Sequence, residues 1–243
     1  MATAPAPIDA PIDAPFDALR GISTATLTMQ LLKRGIRRGW MAGTKPLQPG
    51  GPRLAGPAFT LRFVPGREDV STRESYAAPG SLRDAIEAMP EGVVAVIDSR
   101  GEQGAGTLGD ILAGRMKKRG VAGIVSDGPM RDVAGLRAVG IPVWCSGAAA
   151  PPSIAALYFA GWQEPIGCGG VAVFPDDIIV ADDDGAVVLP RALAAEIAED
   201  GAEQEVLEAW ILAEIERGEP VKGLYPPDEA ALARYRAAKR DSG

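Results

Sequence analysis

The chain of 243 residues contains no histidine. A Ser-His-Asp or Cys-His catalytic arrangement, a histidine general base and a His-ligated zinc site are therefore excluded, and any chemistry falls to carboxylates, Arg, Lys, Tyr, thiols, water or a hard metal ion. Cysteine is almost as scarce. Cys145 and Cys168 sit in the apolar stretches VWCSG and IGCGG, so buried free thiols are expected in place of a disulfide or a thiolate metal pair. No Lys/Arg-rich block is present and the net charge is −7, which argues against a nucleic-acid partner, because such a partner requires several phosphates to be neutralised. No apolar run approaches the roughly 20 residues that cross a bilayer, and no basic-then-apolar leader opens the chain, so a cytoplasmic, membrane-free location is expected. Aromatics make up only 5% of the residues. Trp144, Tyr158, Phe159 and Trp162 read as core or subunit contacts before they read as a cofactor box.

What is present is ordinary for a globular domain: 47% hydrophobic and 23% charged residues. Residues 1–16 repeat Ala, Pro and Asp too densely in proline for a helix, and residues 1–20 are read as a flexible arm. Beyond it, periodicity predicts a helix over 23–38 capped by Ser23 or Thr24, a strand over 56–64, and a helix over 81–89 stopped by Pro90 and Gly92. Strand 93–98, helix 111–119, strand 121–126, helix 132–139 and strand 141–145 follow in alternation. Short apolar runs between 171 and 190 suggest hairpins, 191–217 the longest helix, and 218–243 a C-terminal tail. Helix alternating with strand, followed by clustered strands, defines an α/β class with a mixed sheet.

Residues 104–110, GAGTLGD, spell G-x-G-x-x-G followed by aspartate, close to a dinucleotide-binding fingerprint. That mechanism requires the first glycine at the strand end and the third inside the helix. Here SRGEQ separates Asp98 from Gly104, and Gly109 precedes a helix start, so the glycines lie in a loop. Asp127 is spaced for a ribose contact, yet SDGP is also turn chemistry without any ligand.

Asp110 and Asp132 each stand where a helix begins, and each reads as a cap worth ~1 kcal/mol. A second reading joins them. Ordinary crossovers would bring both helix starts to one edge of the sheet, placing two carboxylates at one pocket. Arg131, directly before Asp132, would then set a bidentate carboxylate binder beside a hard-cation ligand, and the amides after Gly109 would favour an anion.

The segments AGTLGDILA (105–113), GVAGIVSDGPMRDV (120–133) and IPVW (141–144) resemble the RraA-like family, and GPAFTL (56–61) and DIIVADDDGAVVLP (177–190) resemble its flanking segments. The family includes class II pyruvate aldolases acting on 4-hydroxy-4-methyl-2-oxoglutarate, which also decarboxylate oxaloacetate, and the regulator of ribonuclease E activity. The resemblance implies a compact swivelling β/β/α single domain over residues 21–217 that self-associates as a trimer or hexamer. It assigns Gly109, Asp110, Ile111 and Leu112 to a substrate loop whose amides hold a pyruvyl carboxylate, Arg131 to substrate oxygens, and Asp132 to Mg²⁺ or Mn²⁺. Asp110 would hold a metal-bound water and serve in proton transfer. An acidic residue from a neighbouring subunit completes family sites, and Glu203, Glu205 and Glu208 are candidates for it, or members of a solvated helix face. The implied activity is metal-dependent cleavage of a 4-hydroxy-2-oxo acid to pyruvate. A non-catalytic ribonuclease regulator and an aldolase for sugar-derived 2-oxo-3-deoxy acids are the alternatives.

Overall fold

The structure, a computed structural model, describes residues 15–241. In chain order its elements are α1 (Phe16–Arg20), α2 (Thr24–Lys33), β1 (Trp40–Met41), β2 (Lys45–Pro46), β3 (Leu54–Pro65), α3 (Leu82–Ala88), β4 (Val94–Asp98) and α4 (Asp110–Lys118). There follow β5 (Gly123–Ser126), α5 (Val133–Val139), β6 (Val143–Cys145), β7 (Leu157–Trp162), β8 (Ile166–Cys168), β9 (Val171–Val173), β10 (Ile178–Asp182), β11 (Gly185–Leu189), α6 (Ala194–Glu216) and α7 (Glu229–Asp241). The fold is a single mixed α/β domain with a large mixed sheet and a long C-terminal helix.

The main sheet runs β1-β11-β10-β3-β4-β5-β6-β2, with β7 also on β3. Strands β3 to β6 are parallel neighbours in sequence order, linked through α3, α4 and α5. β3 is long enough for two partners on one edge: its first residues pair antiparallel with β10, its last with β7. Alternation along each strand separates two cores. Ala95 and Ile97 of β4 face α3–α5 with Phe59, Leu61, Met116 and Ile124, whereas Val94 and Val96 face the β8–β9 hairpin and the inner side of β10–β11. A third core packs α1, α2 and α6 on the outer side of β10–β11 through Ile178, Val180, Val187 and Leu189. Each fully buried aliphatic side chain of this kind contributes roughly 1.5–3 kcal/mol.

Local chemistry explains the boundaries. Ser23 caps α2, its hydroxyl accepting from Thr26 N at 3.1 Å, and the helix ends at Lys33 because Gly35 turns the backbone to φ +81°, short of the 38 that periodicity suggested. Ser81 and Asp84 form a capping box on α3. The expected arm is described only from residue 15. Residues 16–20 belong to the folded body, since they form α1 with Leu19 fully buried. The expected tail contains α7, whose Tyr235 meets Trp210 of α6 with ring centroids 5.7 Å apart. The stretch 152–170, which carries no clear periodicity, supplies β7 and β8. Its aromatics are packing groups: Phe159 stacks on Trp162 and meets Phe63 edge-on, while Trp144 is buried with its indole N–H on Asp182 O at 2.6 Å. Both cysteines are free and buried, and burial pushes both thiols up, Cys168 well up with Asp127 and Asp98 adding to it. Among the described residues no helix is long and apolar enough to cross a membrane.

Candidate active site at the carboxyl edge of the parallel strands

Three loops leave the carboxyl ends of β4, β5 and β6 and stack on one another, at the edge where ligands bind in open α/β sheets. Thr107 N donates to Pro129 O (3.1 Å) and Arg131 N to Leu108 O (3.0 Å). The third loop joins through Gly106 N to Pro151 O (2.9 Å) and Ala149 N to Met130 O (2.9 Å). Ser146 Oγ also donates to Gln103 Oε1 at 2.9 Å, a link between the first and third loops that no sequence signal announces.

The glycines of GAGTLGD are needed for close approach. A Cβ at Gly106 would lie 2.8 Å from Arg131 N and 2.9 Å from Ala149 O, and one at Gly109 would lie 2.4 Å from Asp132 Oδ2. Asp127 does not face a ribose site. It is buried, with Oδ1 accepting from Ser99 N (2.8 Å) and Ser99 Oγ (2.6 Å), and Oδ2 from Gly101 N (3.1 Å) and Gly169 N (3.3 Å). These donors fill the carboxylate, so it ties the β4 loop and the β8–β9 turn together.

The structure brings Gly109, Asp110, Arg131 and Asp132 together where α4 and α5 start. Neither aspartate acts as the side-chain cap that its position suggests. Gly109 occupies the cap position of α4, Asp110 is the first helical residue, and its Oδ1 accepts from Ile111 N at 2.8 Å. Asp110 rests on the first turn of α5, where a Cβ at Gly135 would lie 2.1 Å from Asp110 Oδ2. Asp132 stands at the cap position of α5 with left-handed backbone, φ 53° and ψ 42°, and makes no cap bond. That conformation is uncommon outside glycine and is tolerated best by Asp and Asn. It turns the carboxylate from the helix amides toward Arg131, whose Nε donates to Oδ2 at 3.1 Å. Ile111 is 83% exposed and Asp132 is exposed as well, so in a single chain this corner is open to solvent. Leu112 is half-buried, packed on the helix-side core.

Among the described residues no group of three or more Asp, Glu, Cys or His side chains gathers as a metal cage. The donors present nevertheless suit a hard cation. Mg²⁺ is commonly held by one or two carboxylates plus waters and substrate oxygens, and the Asp132 carboxylate lies exposed against the bare Cα of Gly109, where a Cβ would meet Oδ2 at 2.4 Å.

The three glutamates considered for a neighbouring site have intrachain partners. Glu205 Oε1 accepts from Ser23 N at 2.9 Å; burial opposes its charge, but the Ser23 and Thr26 donors outweigh this and hold its carboxyl below the usual range. Glu203 accepts from Tyr235 Oη at 2.8 Å and pairs with Lys239, and Glu208 accepts from Gln204 Nε2 at 2.8 Å.

Parallel βαβ units joined to a wrapped antiparallel sheet, with an arginine-carboxylate corner at the strand ends, define the class of α/β domain. The chain belongs to the RraA-like family: the family profile, described as Aldolase/RraA, matches residues 16–188. It is 36% identical over 150 residues (60% of this chain) to a protein of Halalkalibacterium halodurans provisionally named as a 4-hydroxy-4-methyl-2-oxoglutarate aldolase. It is 33% identical over 159 residues (65% of this chain) to protein DlpA of Legionella pneumophila. The matches span 64% of the length of the first relative and 25% of the second. Among solved structures, Streptomyces coelicolor RraAS2, described as an unusual member of the RNase ES inhibitor RraA family, superposes with a TM-score of 0.72 at 37% identity, covering 80% of this chain and 93% of that one.

Proposed function

We propose that this chain is a divalent-cation-dependent lyase that cleaves a 4-hydroxy-2-oxo acid to release pyruvate, with oxaloacetate decarboxylation as a side activity. The observation that carries this reading is Asp132, held in left-handed backbone with its carboxylate against Arg131 and the bare Cα of Gly109. An exposed aspartate in left-handed backbone that leaves its helix uncapped supports a role toward a ligand. The name of the Halalkalibacterium relative agrees with the reaction class.

In this reading Asp132 would hold Mg²⁺ or Mn²⁺, and Asp110 would hold a water for proton transfer. The cation, when bound, supplies Lewis-acid polarisation of the 2-oxo group and neutralises negative charge. Arg131 directs its Nη groups to the substrate carboxylate while Nε stays on Asp132, and the first turn of α4 adds partial positive charge. The chain has no histidine, so Asp110, through a water, is the protein group that accepts the 4-hydroxyl proton as the C3–C4 bond breaks. The electron pair passes to C3, which is then protonated to give pyruvate, and C4 leaves as the carbonyl product. Self-association as a trimer or hexamer would close the open corner.

Chelation should abolish pyruvate release from a panel of 4-hydroxy-2-oxo acids and oxaloacetate, Mg²⁺ or Mn²⁺ should restore it, and Asp132→Ala should be inert while retaining its far-UV circular dichroism. Full activity of Asp132→Ala would remove the assignment. Similarity to RraAS2 supports a second reading, a ribonuclease regulator. Inhibition of an RNase E-type enzyme by a chain inactive on every 2-oxo acid would favour it.

A further inference from the structure

Helices α4 and α5 pack against each other and start at the same corner, so the separation of Asp110 and Asp132 depends on how closely their first turns approach. Two ties hold the pair. Arg131 N donates to Leu108 O at 3.0 Å just before the helices begin, and Lys117 Nζ, on the last turn of α4, donates to Val139 O at 2.5 Å at the far end of α5. Each helix also carries one interior glycine, Gly114 in α4 and Gly135 in α5. Neither lies in the left-handed region, so the backbone requires a glycine at neither position. In such a place glycine weakens a helix relative to alanine, because it loses more conformational freedom on folding.

The two glycines differ in what a side chain would meet. A Cβ at Gly114 would lie 3.9 Å from Val139 Cγ2, an ordinary contact, so the helix crossing there does not demand a glycine. A Cβ at Gly135 would lie 2.1 Å from Oδ2 of Asp110 and 2.8 Å from both its Cβ and its Cγ. The space over Gly135 is therefore taken by the Asp110 side chain. Swinging the carboxylate away would relieve the contact with Oδ2 but not the one with Cβ, whose position follows the α4 backbone. A methyl at 135 would thus push the first turns of α4 and α5 apart against both ties. One of those turns carries Asp110, and the other begins at Asp132.

We propose that Gly135 is a positioning residue: its bare Cα seats the Asp110 carboxylate and thereby sets the distance between Asp110 and Asp132. With Oδ1 on Ile111 N at 2.8 Å and Oδ2 confined by α5, the Asp110 side chain is oriented before any substrate arrives. The catalytic part of this role rests on the lyase reading above; the seat itself does not.

Thermal unfolding and kinetics of Gly135→Ala, Asp110→Gly and the double variant test the proposal. By helix propensity alone Gly135→Ala should raise Tm. With Asp110 in place it should instead lower Tm by at least about 2 °C, whereas in the Asp110→Gly background, where no Cβ is left to clash, the same change should raise it. In the lyase assay Gly135→Ala should lower kcat about 10–100-fold and change KM less than about threefold, because misplacing a proton-accepting group costs rate more than binding. A crystal structure of Gly135→Ala should show Asp110 and Asp132 farther apart than in the wild type. A raised Tm with Asp110 in place, or an unaltered separation, would overturn the seat. A lowered Tm with kcat unchanged would overturn the positioning role and leave a packing contact. A wild-type chain inactive on every 2-oxo acid would remove the lyase reading, and the sign of the Tm changes and the crystal structure would still decide the seat.

Discussion

Asp127 and Asp132 leave the same strand on the same turn, yet the fold uses them in opposite ways. Asp127 is buried and filled by hydrogen bonds from Ser99, Gly101 and Gly169. Asp132 is exposed, bonded through its side chain among the described residues to Arg131, and held in left-handed backbone. A carboxylate whose acceptor sites are filled by its own chain serves as a clamp. One whose sites are left open, at a cost in backbone conformation, is available to a ligand. Residue type and spacing present the two alike, and hydrogen-bond saturation separates them.

The sharpest way to break this comparison is to remove each charge in turn. Asp132→Asn keeps the shape and tolerates the left-handed backbone, so kcat/KM for pyruvate release should fall about 10²–10³-fold while stability changes by no more than ~0.5 kcal/mol in urea unfolding. Asp127→Ala should do the reverse. It strands buried donors on Ser99, Gly101 and Gly169, so unfolding should become easier by about 3 kcal/mol, with surviving folded protein still binding Mn²⁺. A stability loss for the first or none for the second would erase the distinction.

A smaller effect probes the contact between Gly109 and Asp132. Gly109→Ala brings a methyl to within 2.4 Å of Oδ2, so the carboxylate must move and kcat/KM should fall about 10–100-fold with little change in Tm. Unchanged kinetics would show that the carboxylate position is not critical.

The smallest effect concerns Asp98, beside the clamp. Burial raises its carboxyl above the ordinary 3.8, the Gly167 and Arg100 amides oppose this, and the Asp127 charge adds to it. A raised folded pKa means that the folded chain holds the proton more tightly than the unfolded one. Its stabilising contribution is complete below pH 3.8 and lost as pH rises through the raised value. Asp98→Asn should therefore flatten the fall of Tm with pH in the window just above pH 3.8, and an unaltered slope would count against the clamp region as its source.

Much of the fold was legible because its parts are local. Ser23 before α2, Ser81 with Asp84 before α3, and the glycines after α4 and α5 mark helix ends from neighbouring residues alone. Apolar runs of the right length marked β3–β6 and the β10–β11 hairpin. Strands β7 and β8 were not legible, since their aromatic and glycine-rich residues acquire strand geometry only by pairing with β3 and with β9. Helix α7 was missed because its few apolar contacts are with α6. In the site, Asp110, Arg131 and Asp132 could be selected from residue type and position. The cap roles expected of both aspartates failed for different reasons: Asp110 is itself the first residue of α4, with Oδ1 on Ile111 N and Oδ2 against Gly135 of α5, and Asp132 is turned from the α5 amides toward Arg131 and Gly109.

By itself the sequence determined what chemistry is possible: no histidine, hence carboxylates and an arginine, placed at two helix starts by short-range turn and helix signals. Only the tertiary structure decided which aspartate is a clamp and which is open, why the glycines of GAGTLGD are there, and that residues far apart in the chain meet at one edge. The reason is that hydrogen-bond saturation, close backbone approach and strand pairing are relations between distant segments, and these exist only once the sheet has brought them together.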